Sequence, residues 1–360
     1  MTISTAQPAA KPDRAAHQFL PGRPGPWFVA RSTAGPRDRF DTLAGRYVVL
    51  CFIHSAGDPT AAAALRVAIG DSGGGVFDGR NASLAIVSTD AGDESLRRLT
   101  PAAGVRCIWD FDRAVSRLYG AVDADGACRR FWLVLDPMLR VLLVAPLENV
   151  GPVMEFMAGL PPCALHAGAA LPAPVLVVPR VLEPGLCRHL IALYRADGGE
   201  DSGFMLETEG RTVMTTDAAF KRRRDHQIRH EPTRVAIRER IERRLLPEIW
   251  KAFQFSATRI ERYIVACYDA GEGGHFQAHR DNTTPATVHR RFAVTINLND
   301  DYRGGELLFP EFGDRRYRGP VGGAVVFSCA LLHEVTRVTQ GVRYATLPFL
   351  YDAPARWDAP

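Results

Sequence analysis

Apolar residues follow two different rhythms along this chain, and the change falls near its middle. In the first half, continuous apolar runs of strand length alternate with short helical patterns. YVVLCFI (47–53) and ASLAIVS (82–88) have almost no polar face, as strands covered on both sides require. Between them PTAAAALRVAI predicts a helix, with Pro59 before or within the first turn, where a missing N–H costs little. ESLRRL and DRAVSRLYG predict further helical turns. The most apolar stretch, FWLVLDPMLRVLLVAPL (131–147), reads as two buried strands joined by a turn at Asp136-Pro137, and a last helix is expected near 149–158. Such alternation predicts an α/β sandwich with a partly parallel sheet.

A break follows. Pro161, Pro162, Pro172 and Pro174 surround an Ala/Gly stretch that supports neither a long helix nor a central strand. Beyond it the spacing predicts a helix over 184–196. A second, amphipathic helix is expected over TRVAIRERIERRLLPEIWKAF, with Val235, Ile237, Ile241, Leu245 and Ile249 close to one stripe. From Thr258 onward, short strands and Gly-rich turns predict a sandwich or jelly roll.

The 360 residues allow two cores. The expected organisation is a polar, Ala/Pro-rich tail over 1–20, a first domain over 21–162, a linker over 163–174 and a second domain over 175–360. No export signal is evident, and Asp136, Pro137 and Arg140 break the 131–147 stretch too often for a membrane span. Seven cysteines without a CxxC pair suit a reducing cytoplasm. A formal net charge of +4 and the lack of an interleaved aromatic stripe give no support for nucleic acid. The run Lys221-Arg222-Arg223-Arg224 is expected to be a solvated loop and helix face. Its functional reading is a cationic surface that recruits an acidic substrate or partner.

The candidate chemistry centres on HFQAHRDN (275–282). On a strand, residues two apart face the same way, so His279 and Asp281 project together while Arg280 points away. His333, in LLHEV on a later strand, supplies a third ligand. Two imidazoles and one carboxylate on one face leave positions open, as non-haem Fe(II) oxygenases require. An isolated HxD is weak. The ordered set is stronger: RYIVACYDAGEGGHFQAHRDN, then RRFAVTINLNDDYRGGELLFPEFG, then GGAVVFSCALLHEVTRVTQGVRYATLPFL. Together these resemble the prolyl-4-hydroxylase-like branch of the 2-oxoglutarate oxygenases across 175–352.

The resemblance implies a double-stranded β-helix, or jelly roll, that uses Fe(II), 2-oxoglutarate and O2, with ascorbate a further candidate. Arg343, ten residues after His333, fits the position that holds the distal carboxylate of 2-oxoglutarate, where a planar guanidinium suits a bidentate contact. Tyr268 matches a tyrosine that contacts the cosubstrate, with Tyr263 competing on the same strand. Asn297 stands where some relatives have a second tyrosine. Gly304-Gly305-Glu306 and Phe309-Pro310 read as fold. His226, His230, His275 and His289 read as surface or substrate-channel residues. The implied reaction is hydroxylation of an unactivated C–H, with a peptide or protein side chain the first reading of the substrate. A free amino acid or small metabolite is the second reading, and a non-catalytic binding protein with a structural metal the third.

The first domain resembles the peroxiredoxin/thioredoxin-like fold through LAGRYVVLCFIHSAGDPT, AIVSTDAGDESLRRL, WDFDRAVSRLYGA and RRFWLVLDPMLRVLLV. That family needs a low-pKa cysteine at the start of the helix after YVVLCFI. Here the segment is SAGDPTAAAAL, with alanine in that place, and Cys51 lies inside the preceding strand. The expectation is an inactive docking or structural module with a protein partner, with Cys107 and Cys128 the remaining redox candidates.

Overall fold

The computed structural model describes residues 19–70, 75–208 and 211–352. All but the last two residues of the expected 1–20 tail, and the stretch 353–360, lie outside them. The chain divides into two compact units, Met1–Leu171 with Glu311–Gly313 and Pro172–Pro310 with Asp314–Pro360.

The first unit is built on a seven-stranded sheet in the order Gly35–Arg39, Val29–Ser32, Val105–Trp109, Ala82–Ser88, Tyr47–His54, Phe131–Leu135, Val141–Pro146. The three central strands run parallel to one another, and Phe131–Leu135 joins them antiparallel. Tyr47–His54 is buried along all but its last residue, which explains its unbroken apolar run. Val49, Cys51 and Ile53 share one core with Trp132, with Leu65 of the helix Pro59–Ile69, and with Met157 of the helix Val150–Ala158. Pro59 opens the first of these helices, and the Asp58 carboxylate accepts from the Ala61 N–H at 3.0 Å, capping it.

This packing decides what the thiols can do. Burial pushes Cys51 well above the ordinary thiol range and raises Cys107 to about 12. The expectation that Cys107 remains a redox candidate is therefore corrected: it is fully enclosed and protonated at neutral pH. Cys128 is exposed, 3.9 Å from His54 Nδ1. Full-length protein should consume hydrogen peroxide no faster than a Cys51→Ala, Cys107→Ala, Cys128→Ala variant in a dithiothreitol-coupled assay. A thiol-dependent excess in the parent protein would show a working peroxidatic cysteine.

The second unit has two principal antiparallel sheets. The larger runs Arg259–Glu261, Phe349–Tyr351, Phe292–Asn297, Val342–Thr346, Ile264–Asp269, Arg224–Gln227, Glu200–Asp201, with Ala324–Ser328 paired to both Phe292–Asn297 and Leu176–Val178. The smaller runs Lys221–Arg222, His275–His279, His333–Val335, Leu307–Leu308, Arg316–Tyr317. Alternation separates the two faces of the larger sheet. Val265, Cys267, Val294, Ile296 and Tyr344 pack with Leu190 and Tyr194 of the helix Pro184–Asp197 and with Ile237 and Ile249. The period of two puts Ala266, Tyr268, Asn297, Arg343 and Ala345 on the opposite face, all of them buried.

The amphipathic stripe is real but its helix is not continuous. Glu231–Arg240 is α-helical, Ile241–Leu245 forms a π turn, and Leu246–Phe253 resumes the α-helix. Pro247 has no N–H to donate, and its ring crowds the carbonyl four residues back, so the turn before it widens. Ile241, Leu245 and Ile249 remain fully buried across the break.

Candidate metal centre

The strand His275–His279 pairs antiparallel with His333–Val335, which sets His279 directly opposite His333. Their ring centroids are 4.3 Å apart. The strand ends at His279, and Asp281 continues alongside by donating its N–H to the Cys329 carbonyl at 2.9 Å. The Asp281 carboxylate thus lies 3.5 Å from His279 Nε2 and 3.4 Å from His333 Nε2. Ligand atoms of all three residues fall within 4.8 Å of one another.

Backbone carbonyls select the tautomers. His279 Nδ1 is 2.7 Å from the Gln277 oxygen, and His333 Nδ1 is 3.0 Å from the Leu331 oxygen. Each Nδ1 therefore carries the proton, which leaves each Nε2 lone pair directed towards the shared space. Phe276 stacks on His279 at 3.5 Å and Phe327 packs against His333 at 4.6 Å, restricting both rings. Burial pushes His333 down to about 4, with His279 adding to the effect, so the imidazole is neutral at pH 7. Burial opposes ionisation of Asp281, but the His333 and His279 imidazoles and the Arg290 guanidinium overcome it and hold the carboxyl well below its usual range. Two imidazole Nε2 atoms and one carboxylate form a donor set suited to Fe(II).

On the inner face of the larger sheet, Arg343 lies opposite Tyr268, with its guanidinium carbon 5.1 Å from the ring centre. Asn297 Oδ1 accepts from Arg343 Nε at 3.4 Å and Nη2 at 3.3 Å, while Asn297 Nδ2 donates to the Gly319 carbonyl at 2.7 Å. Arg343 is 2% exposed, and its Nη1 has no hydrogen-bond partner among the described residues. Among the described residues no carboxylate pairs with it. A buried cation in this state lacks a counter-charge, and a dicarboxylate cosubstrate would supply one. Tyr263 faces elsewhere, beneath Arg234 at 4.9 Å and against the helical core, so Tyr268 is the tyrosine beside Arg343.

Gly304 and Gly305 adopt φ values of +76° and +69°. A Cβ on Gly304 would stand 2.1 Å from the Arg337 carbonyl oxygen, and one on Gly305 would stand 3.0 Å from Arg343 Cδ. Gly304→Ala should therefore cost more than ~1 kcal/mol and lower Tm in thermal unfolding. An unchanged Tm would mean the turn can relax without loss.

Several expectations change. The run Lys221–Arg224 is not a solvated loop or helix face. Lys221–Arg222 pairs with His275 and Phe276, and Arg224–Gln227 pairs with Ile264–Cys267, so side chains alternate. Lys221 and Arg223 are 6% and 7% exposed, whereas Arg222 faces solvent. The missed signal was Arg223-x-Asp225, a charge pair at strand spacing that closes at 2.6 Å. His275 is not a surface or channel residue either: it is buried, with its ring nitrogens 2.8 Å from the Gly273 and 3.0 Å from the Ala219 carbonyls. His289 and Arg290 both engage Glu261, His226 lies 2.7 Å from Asp197, and His230 lies 3.0 Å from Thr233.

Three donors lie around one point, and a buried arginine with no carboxylate partner among the described residues lies on the larger sheet. Residues 263–351 match the model of the 2OG-Fe(II) oxygenase superfamily. The matched segment contains Tyr268, His279, Asp281, Asn297, His333 and Arg343. A PKHD-type hydroxylase of Pseudomonas putida is 31% identical over 127 residues, which are 32% of this chain and 55% of that protein. The chain thus spans about half the length of the curated relatives it matches. Among solved structures, a prolyl hydroxylase from Trichoplax adhaerens, in complex with a hypoxia inducible factor oxygen degradation domain peptide fragment, is 17% identical. It covers 50% of this chain and 84% of its own, with a TM-score of 0.37. Thioredoxin peroxidase I of Plasmodium yoelii is 20% identical, covering 39% of this chain and 90% of its own with a TM-score of 0.31.

Proposed function

We propose that the second unit is an Fe(II)- and 2-oxoglutarate-dependent oxygenase of jelly-roll architecture that hydroxylates an unactivated C–H. The observation that carries this reading is the pairing of the His279, Asp281, His333 donor set with the buried, unpartnered Nη1 of Arg343. His279 Nε2, His333 Nε2 and an Asp281 oxygen would hold the metal. Arg343 would take the distal carboxylate of 2-oxoglutarate, with Asn297 and Tyr268 fixing the plane of its guanidinium. When bound, Fe(II) with 2-oxoglutarate and O2 supplies the oxidation that turns C–H into C–OH while the cosubstrate becomes succinate and CO2. The phenyl rings of Phe276 and Phe327 pack on the two imidazoles and would hold their orientation. Asp281 favours hydroxylation because it fills a coordination position with a carboxylate.

The substrate proposed is a peptide or protein side chain, in keeping with the peptide bound to the Trichoplax prolyl hydroxylase. The first unit is proposed as a docking or structural module, with ascorbate as an accessory reductant for the second. Seven free cysteines are consistent with residence in a reducing cytoplasm, and no helix among the described residues is long and apolar enough to cross a membrane. The test is an anaerobic titration of the full chain with Fe(II) and 2-oxoglutarate, followed by absorbance, then addition of O2 and a succinate assay. Neither a metal-to-ligand absorption band nor succinate would remove the oxygenase reading.

A further inference from the structure

A second buried donor lies beside Arg343 without an acceptor, and the roles given to Asn297 and Tyr268 do not account for it. Tyr302 is 4% exposed, and its hydroxyl makes no hydrogen bond among the described residues. A buried phenol is normally hydrogen-bonded, because giving up water without a replacement costs free energy. The ring itself is well held. Arg318 covers one face, its guanidinium carbon 3.8 Å from the ring centre, while its Nη1 and Nη2 donate to the Tyr302 and Asp300 carbonyls. A Cβ on Gly341 would stand 3.2 Å from Tyr302 Cα, so backbone closes in from that side as well.

Backbone pairing sets this ring against the arginine. Leu298 donates its N–H to the Tyr344 carbonyl at 2.9 Å. Asn299 Nδ2 donates to the Val342 carbonyl at 2.7 Å, and its Oδ1 accepts from the Tyr344 N–H at 2.8 Å. Further along, Arg303–Gly304 pairs with Val338–Gln340, and Gly305 donates its N–H to the Arg337 carbonyl at 3.3 Å. Tyr302 lies between these two sets of bonds, and Arg343 lies between the two backbone groups that Asn299 holds. The side chains meet over Gly305. A Cβ there would stand 3.0 Å from Arg343 Cδ and 3.5 Å from Tyr302 Cε2, the ring carbon next to the one that bears the hydroxyl.

Arg343 Nη1 is the other unmatched donor, since Asn297 takes Nε and Nη2. Two buried side chains that flank one point, one cationic and one a neutral O–H donor, suit an anion with more than one acceptor atom. A carboxylate is such a group. We propose that Tyr302 is a second ligand for the distal carboxylate of 2-oxoglutarate, its hydroxyl donating to that group beside Arg343 Nη1. The inference rests on the oxygenase reading above. It makes Tyr302, with Arg343, the feature that separates 2-oxoglutarate from 2-oxo acids that lack a second carboxylate.

The test titrates full-length protein holding Fe(II) with 2-oxoglutarate under anaerobic conditions, read by the metal-to-ligand absorption band. The titration is repeated with 2-oxopentanoate, which ends in a methyl group. Iron content after gel filtration and circular dichroism melts of the ligand-free protein accompany it. Tyr302→Phe keeps the ring and its contact with Arg318. We expect it to weaken 2-oxoglutarate by ~10-fold or more, the loss of a hydrogen bond to a charged group. Iron retention should be unchanged, and 2-oxopentanoate should bind both proteins equally weakly. Without ligand the variant should melt no lower than the parent, because the hydroxyl it lacks has no partner there. If no band forms in the parent protein, the oxygenase reading fails and this one with it. If the band forms but Tyr302→Phe binds 2-oxoglutarate as the parent does, loses both oxo acids alike, or melts lower without ligand, the role of Tyr302 alone is overturned.

Discussion

His279→Ala and His333→Ala proteins should each fold, fail to retain iron, and produce no succinate from 2-oxoglutarate. Removing one of three protein ligands leaves two donors, and the loss should exceed the ~10–100-fold typical of disturbing outer-shell partners alone. The fold should survive because each side chain contributes a single Nδ1 hydrogen bond to a neighbouring carbonyl, at 2.7 Å and 3.0 Å, worth about 1 kcal/mol apiece. Removing His333 also removes a buried imidazole that resists protonation. Its folded-state value of about 4 lies below the ordinary 6.5, so protonation favours unfolding. The parent protein should thus lose stability as the pH falls through 6.5 towards 4, and His333→Ala should lose less. Metal content after gel filtration, circular dichroism melts at pH 7 and 5, and a succinate assay separate these effects. Parent-like turnover in either variant would assign the iron to other ligands.

Arg343→Ala should weaken 2-oxoglutarate far more than iron. Truncating one partner of a buried charge pair costs about 2–5 kcal/mol, which corresponds to roughly 30-fold to several thousand-fold in apparent affinity. Without cosubstrate the sign reverses. Arg343 is 2% exposed and lacks a carboxylate partner among the described residues, so its removal should leave the protein no less stable. The separation shows in thermal melts: saturating 2-oxoglutarate at 100 times Kd should stabilise the parent by about 2.7 kcal/mol and the variant scarcely at all. Unchanged affinity would move the anchor to another cation. Two candidates already have carboxylates, Arg290 with Glu261 at 2.5 Å and Arg291 with Asp352 at 3.6 Å.

Where an element is set by local chemistry, the sequence was sufficient. Pro59 and Pro184 start helices because a first-turn residue needs no amide donor, and the apolar runs at 47–53 and 82–88 became the buried strands they resemble. His279 and Asp281 converge because two residues of extended chain return a side chain to the same face, a property of the backbone alone. The absent thiol in SAGDPTAAAAL is likewise legible, since no fold supplies a sulfur that the chain lacks. Tertiary structure decided the rest. Strand pairing brought His333 opposite His279, and covering one face of the larger sheet with helices sent Tyr263 to that side and left Tyr268 beside Arg343. It buried Lys221 and Arg223, whose charges by themselves predict solvent, because a facing strand and the Asp225 carboxylate lie where water would be. Periodicity states which side chains share a face, but only the packed sheets determine what that face meets, and burial, protonation and the company of charges follow from that.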